Sequence, residues 1–165
     1  MDTLLKKIEL SARVLSSQGK IDIATYIEKQ KNALERIRSG RQYILCTYYF
    51  PSELAQLFDV EFLYIERIVG LTVSCNLLSE HKEYGLPTDL CSYQRVFLQL
   101  VEEGVLPKPE RIIAVKYPCN SAVVLCEFIH KRYEIPIHYV NVPTLESDLL
   151  KMYHLLRSKY GSGQL

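Results

Sequence analysis

Five cysteines carry most of the chemical potential of this 165-residue chain: Cys46, Cys75, Cys91, Cys119 and Cys126. A cysteine thiolate is a nucleophile and a soft metal ligand. An odd number of widely spaced cysteines, in a chain that opens without a secretory signal, argues against a disulfide framework. No CxxC pair occurs, so the usual zinc-ribbon and ferredoxin spacings are absent. Any metal site must therefore be assembled by the fold from distant loops. The stretch RIIAVKYPCNS, Arg111 to Ser121, shows how. Ile112 to Val115 is a short apolar run that predicts a buried parallel strand, and Pro118 stops it. Asn120 or Ser121 can cap the helix that follows, so Cys119 falls between a strand's carboxyl end and a helix start. Open α/β sheets place their ligands there. The helix end also favours an anion, such as a thiolate or an iron–sulfur cluster.

Other chemistries lack their signatures. There is no GxGxxG turn, no GxxxxGK[ST] loop and no GxSxG elbow. The four histidines, His81, His130, His138 and His154, form no tight metal-binding pair. A net charge of +1 gives no reason to expect nucleic acid. Lys29, Lys31, Arg36, Arg38 and Arg41 are interleaved with Glu28 and Glu35, the pattern of a solvated helix face. No apolar run is long enough to span a bilayer, and MDTLLKKIEL lacks the core of a secretory signal. A cytoplasmic protein with no membrane partner is expected.

The elements that must position the cysteines follow from periodicity. Residues 3–17 predict a helix with Leu5, Ile8, Ala12 and Leu15 on one face. Residues 21–38 predict a second, with Ile23, Ile27, Leu34 and Ile37 on one stripe, ended by Ser39-Gly40. Residues 1–40 thus read as a helical hairpin, and 41–165 as a Rossmann-like α/β domain. In that domain Gln42 to Tyr48 is the first strand, with Cys46 near its end. A short helix from Pro51 to about Phe58 carries Glu53 in its first turn. Val60 to Tyr64 is the second strand, and 65–80 a helix containing Cys75. Thr88 or Asp89 can cap the next helix, which has Cys91 in its first turn and runs to Gly104. Ile135 to Val140 is the fourth strand, and a final helix covers roughly 144–159. Cys126 lies inside an apolar helical pattern and reads as a core residue. Alternating strands and helices predict a small doubly wound parallel sheet of four strands, with helices on both faces. The order 2-1-3-4 puts its switch point between the first and third strands. Cys46 and Cys119 would then end adjacent strands, with Cys91 on the same rim.

Three stretches carry a resemblance. CTYYFPSELAQLFDVEFLYIE looks like the opening of the 2-hydroxyacyl-CoA dehydratase family, which includes the benzoyl-CoA reductase subunits. The matching features are Cys46, Pro51, Glu53 and Leu54. LCSYQRVFLQLVEEGVLPKPERIIAV is similar to the family's C-S-[YF]-x-R helix and the turn after it, through Cys91, Ser92, Tyr93, Arg95, Pro107, Lys108 and Pro109. YPCNSAVVLCEFIHKRYEIPIHYVNVP resembles the family's cysteine–helix–strand segment, with Cys119 as the cysteine. The pieces run in order from about residue 42 to 160.

The resemblance implies a [4Fe–4S] cluster, a CoA thioester substrate, and loss of water from a 2-hydroxyacyl-CoA or a related acyl-CoA reduction, carried by one-electron chemistry at the cluster. It implies Cys91 and Cys119 as cluster ligands, and Cys46 as a ligand that only some members share. Glu53 would be an acid–base or hydrogen-bonding group, or simply a carboxylate at a helix N-terminus. Arg95 could meet a CoA phosphate or be an ordinary helix arginine. Family members continue into a second α/β domain that supplies a further cysteine and much of the substrate pocket. Asn120 stands where an acidic residue often follows the family's cysteine. The cluster site would therefore need Cys46, an oxygen ligand, a second subunit or a missing domain to complete it. Two alternatives stay open: a non-catalytic assembly or binding domain of the same descent without a working cluster, and a small flavodoxin-like binder.

Overall fold

Ile112, Ile113, Ala114 and Val115 are all buried, as an apolar run in a parallel strand requires. They belong to a four-stranded sheet, seen in a computed structural model that describes residues 1–47, 49–74, 84–85, 90–117, 119–141 and 145–161. The strands are β1 (Tyr43–Cys46), β2 (Glu61–Tyr64), β3 (Arg111–Val115) and β4 (Ile137–Val140). All three pairings are parallel and the order is β2-β1-β3-β4, as the alternation of elements predicted. The helices among the described residues are α1 (Asp2–Ser17), α2 (Ile21–Arg38), α3 (Ser52–Ala55), α4 (Ile65–Ser74), α5 (Ser92–Glu102), α6 (Asn120–Tyr133) and α7 (Leu145–Tyr160). None of them is long and apolar enough to cross a membrane.

The chain divides into two units, Met1–Arg41 with Glu66–Lys108, and Gln42–Ile65 with Pro109–Leu165. In the first, α1 and α2 form the expected helical pair. Leu4, Leu5, Ile8 and Ala12 of α1 are buried, as are Ala24, Ile27, Leu34 and Ile37 of α2. Ile23, expected on the buried stripe, is 52% exposed, because the helix turns the neighbouring Ala24 inward. Lys31 sits among carboxylates, 3.1 Å from Glu28 and 3.9 Å from both Glu9 and Glu35.

The second unit holds the sheet. Register pairs Cys46 with Tyr64 and Ile113, and Ile113 with His138, so alternation places these side chains on one face. That face forms the apolar cluster Ile44, Cys46, Tyr64, Ile113, Val115 and Val140, covered by Phe50, Phe58, and Met152 and Leu156 of α7. Phe50 and Phe62 stack there with centroids 5.7 Å apart. On the other face the Tyr139 hydroxyl donates to Glu127 of α6 at 3.1 Å. At the opposite end of the strands, Arg111 hydrogen-bonds His138, and Lys159 of α7 pairs with Glu110.

Several boundaries differ from expectation for local reasons. β1 ends at Cys46 rather than Tyr48, and Tyr48 lies outside the described residues. Thr47 extends the pairing by other means: its N–H donates to Ile113 O at 3.3 Å, and its hydroxyl accepts the Val115 N–H at 3.0 Å. Phe50 N–H then donates to Thr47 O at 3.2 Å and turns the chain. α3 is a single turn that stops at Ala55, and Pro51 is its N-cap, not its first residue. β4 begins at Ile137 because Glu134, at φ 57°, closes α6 in the left-handed region. The proposed caps Thr88 and Asp89, the helix beyond Ser74 with Cys75, and the start of the last helix at 144 lie outside the described residues.

Two predictions follow from this packing. Thr47→Val removes the acceptor and leaves the Val115 N–H buried and unpaired, which should cost about 1–3 kcal/mol in urea unfolding. Burial and the Arg111 charge both hold His138 below its ordinary value of 6.5. The unfolded chain therefore binds the proton more readily, and stability rises with pH until about 6.5. Urea midpoints measured below and above that pH should show this slope, and His138→Gln should flatten it.

Candidate functional site

The two cysteines implied as ligands occupy equivalent positions. Cys119 is the N-cap of α6, with φ −100° and ψ 100°, and is half-buried. Cys91 is the N-cap of α5, with φ −61° and ψ 147°, and is exposed. This corrects two readings: Cys91 precedes the first turn rather than lying in it, and the cap of α6 is neither Asn120 nor Ser121. Both cysteines have the extended backbone that an N-cap needs, and the Gln94 N–H donates to Cys91 O at 3.1 Å. Neither thiol makes a side-chain capping bond. Ser, Thr, Asp or Asn at such a position would add about 1 kcal/mol.

Charge sets these two helices apart from the rest. α1, α2, α3, α4 and α7 each carry an acidic residue in the first turn: Asp2, Asp22, Glu53, Glu66, and Glu146 with Asp148. α5 and α6 carry none. Their first turns hold Ser92, Tyr93 and Gln94, and Asn120, Ser121 and Ala122. In addition α6 ends on His130, Lys131 and Arg132, which suit its negative end. The positive ends of the two cysteine-capped helices are thus left for an anion that the helices do not themselves provide.

Cys46 has a different environment. It is fully buried on the face packed by Phe50, Phe58, Met152 and Leu156. Its position at the end of β1 is as expected, but pleat and register turn it into the apolar cluster. Cys126 is buried in α6 as a core residue. Glu53 is exposed in the first turn of α3. The Arg95 Nε donates to Leu90 O at 3.2 Å, which fixes the turn ahead of α5. Cys46, Cys119 and Glu53 lie in the sheet unit, and Cys91 in the other. Among the described residues no three His, Cys, Asp or Glu side chains converge as a metal site.

Within the sheet unit, β1 and β3 are neighbours, so the segments leaving their carboxyl ends run side by side. The rings of Tyr49 and Tyr117 meet there, with centroids 6.3 Å apart and planes at 66°. Sequence reasoning did not single out this pair. The available signal was an aromatic residue a few positions beyond each of two strands expected to flank the switch point.

A four-stranded, all-parallel sheet in the order β2-β1-β3-β4, with its helices, defines the molecule as an α/β protein. Comparison narrows the class. The family model for the D-component of 2-hydroxyglutaryl-CoA dehydratase matches residues 47–161, and the chain belongs to that family. It is 29% identical to the (R)-2-hydroxyisocaproyl-CoA dehydratase alpha subunit of Clostridioides difficile, covering 73% of this chain and 32% of that one. It is 28% identical to the (R)-phenyllactyl-CoA dehydratase alpha subunit of Clostridium sporogenes, covering 72% and 33%. The chain therefore spans about a third of the length of these relatives.

The burial pattern predicts an order of reactivity. In the folded chain, iodoacetamide should label Cys91 fastest and Cys119 next, while Cys46 and Cys126 label only after unfolding. Peptide mapping of a labelling time course checks this, and fast labelling of Cys46 would contradict its placement.

Proposed function

We propose that this chain acts within an iron–sulfur-dependent 2-hydroxyacyl-CoA dehydratase, as a subunit or a piece of one, with Cys91 and Cys119 as ligands of a [4Fe–4S] cluster. The observation that carries the reading is the pairing of cysteine N-caps with helices that lack first-turn carboxylates, in a chain of this family. The donor chemistry fits: thiolates are the ordinary ligands of such clusters, and both residues are accessible. When bound, the cluster supplies one-electron chemistry to the thioester. The protein's own share is electrostatic and positional. The N–H groups of α5 and α6 offset the negative charge gathered on the thiolates. The β1–β3 pairing holds the start of α6 in place. Burial of Cys46 in the apolar cluster weighs against it as a third ligand, so this reading assigns the remaining ligands to a partner subunit or a further domain. Glu53 stands outside the proposed ligand set, where its carboxylate meets the positive end of α3. A cytoplasmic setting suits an oxygen-sensitive cluster.

The alternative, an assembly domain without a cluster, draws on the hairpin. Leu10 at 63%, Ile21 at 65% and Ile23 at 52% exposure leave apolar surface that a second subunit could cover.

Anaerobic reconstitution with iron and sulfide separates the two. The proposal expects a broad visible band and about four irons per cluster. Cys91→Ala and Cys119→Ala should each lose at least half of the bound iron. Cys46→Ala should keep it and lose stability instead. A folded, iron-free chain that self-associates in light scattering would favour the assembly reading.

A further inference from the structure

We infer that Tyr49 and Tyr117 form a preformed aromatic wall that holds the acyl group of the thioester and favours an acyl group bearing an aromatic ring. The inference rests on the dehydratase reading above and deepens it. The two residues leave adjacent parallel strands, β1 and β3, at the carboxyl edge of the sheet. That edge is where open α/β sheets bind ligands. Their rings meet edge to face at 6.3 Å and 66°, within the favoured range for aromatic pairs, so each ring fixes the other. Even so, Tyr49 is 51% and Tyr117 57% exposed. Single exposed aromatics are common on protein surfaces. Two that order each other at a sheet's ligand-binding edge offer a rigid, amphipathic surface at small entropic cost.

Chain connectivity then says which part of the ligand lies against them. Tyr117 is two residues before Cys119, so their Cα atoms are at most about 7 Å apart. A group held at Tyr117 is therefore next to the proposed cluster ligand. The acyl side of the thioester carbonyl is that group. The adenine of CoA lies at the far end of the pantetheine arm.

The test is calorimetric titration of the full chain with phenylpropionyl-CoA, which lacks the 2-hydroxyl group and cannot turn over. Hexanoyl-CoA and CoA serve as controls. Tyr49→Ala and Tyr117→Ala should each weaken phenylpropionyl-CoA about three- to tenfold. Hexanoyl-CoA and CoA should stay within about twofold, and Tyr49→Phe and Tyr117→Phe should restore the aromatic preference. Unchanged thermal midpoints would show that the alanine variants fold. Equal weakening of all three ligands would overturn the inference by placing the pair against the CoA moiety. Unchanged binding in the variants, or a wild-type chain that binds phenylpropionyl-CoA no tighter than CoA, would also overturn it. Iron content measured on the same samples separates the two levels: a wild-type chain that holds iron but shows no preference for phenylpropionyl-CoA refutes the wall alone, whereas a wild-type chain with neither iron nor thioester binding refutes the dehydratase reading as well.

Discussion

The pairing of β1 with β3 is the constraint on which the rest of the sheet unit depends. Leu45 meets Ile112 and Cys46 meets Ile113, across more than sixty residues of chain. Closing so long a loop costs entropy that only good packing can offset. Burial of Ile44, Ile113, Val115 and Val140 on one face supplies it. Thr47 secures the carboxyl end of the pair, where the regular ladder has already stopped. The two strands are neighbours in the sheet, so the segments that follow them leave from a common edge. Tyr49 and Tyr117 meet there, and α6 begins there with Cys119.

The cysteines show how position decides what one side chain does. Cys46 and Cys126 are small apolar core residues, enclosed in a sheet face and in α6. Cys91 and Cys119 occupy a place where most helices prefer an oxygen-bearing cap. Giving up that cap, and leaving out the first-turn carboxylates found on the other described helices, lowers local helix stability. Under the proposed function, a thiolate held by iron would restore favourable charge at the start of each of these two helices. Met1, Lys20 and Pro51 also cap their helices without a side-chain bond, so what sets α5 and α6 apart is a cysteine N-cap together with a first turn that holds no carboxylate.

Much of this was legible in the amino-acid sequence. Parallel pairing followed from the alternation of strands and helices, and the observed order is the one expected of a half-sized doubly wound sheet. The α1–α2 pair followed from apolar spacing, although Ile23 and Ala24 compete for the same inward direction and spacing could not choose between them. What escaped was set by pleat and by hydrogen bonding. Whether Cys46 faces the rim or the core depends on where β1 ends, and Thr47 ends it through its side chain rather than through strand propensity. Asn120 and Ser121 are better intrinsic caps than Cys119, yet the helix starts one residue earlier. The Tyr49–Tyr117 contact joins residues far apart in sequence and becomes visible only once β1 and β3 are paired.

The most direct test of the central claim is cysteine-by-cysteine protection. The chain would be treated with iodoacetamide before and after anaerobic reconstitution with iron and sulfide, and each cysteine peptide quantified by mass spectrometry. The account predicts that reconstitution shields Cys91 and Cys119 together, in proportion to bound iron, and leaves Cys46 and Cys126 as they were. Iron bound with both N-cap cysteines still fully reactive, or with Cys46 shielded in their place, would contradict it.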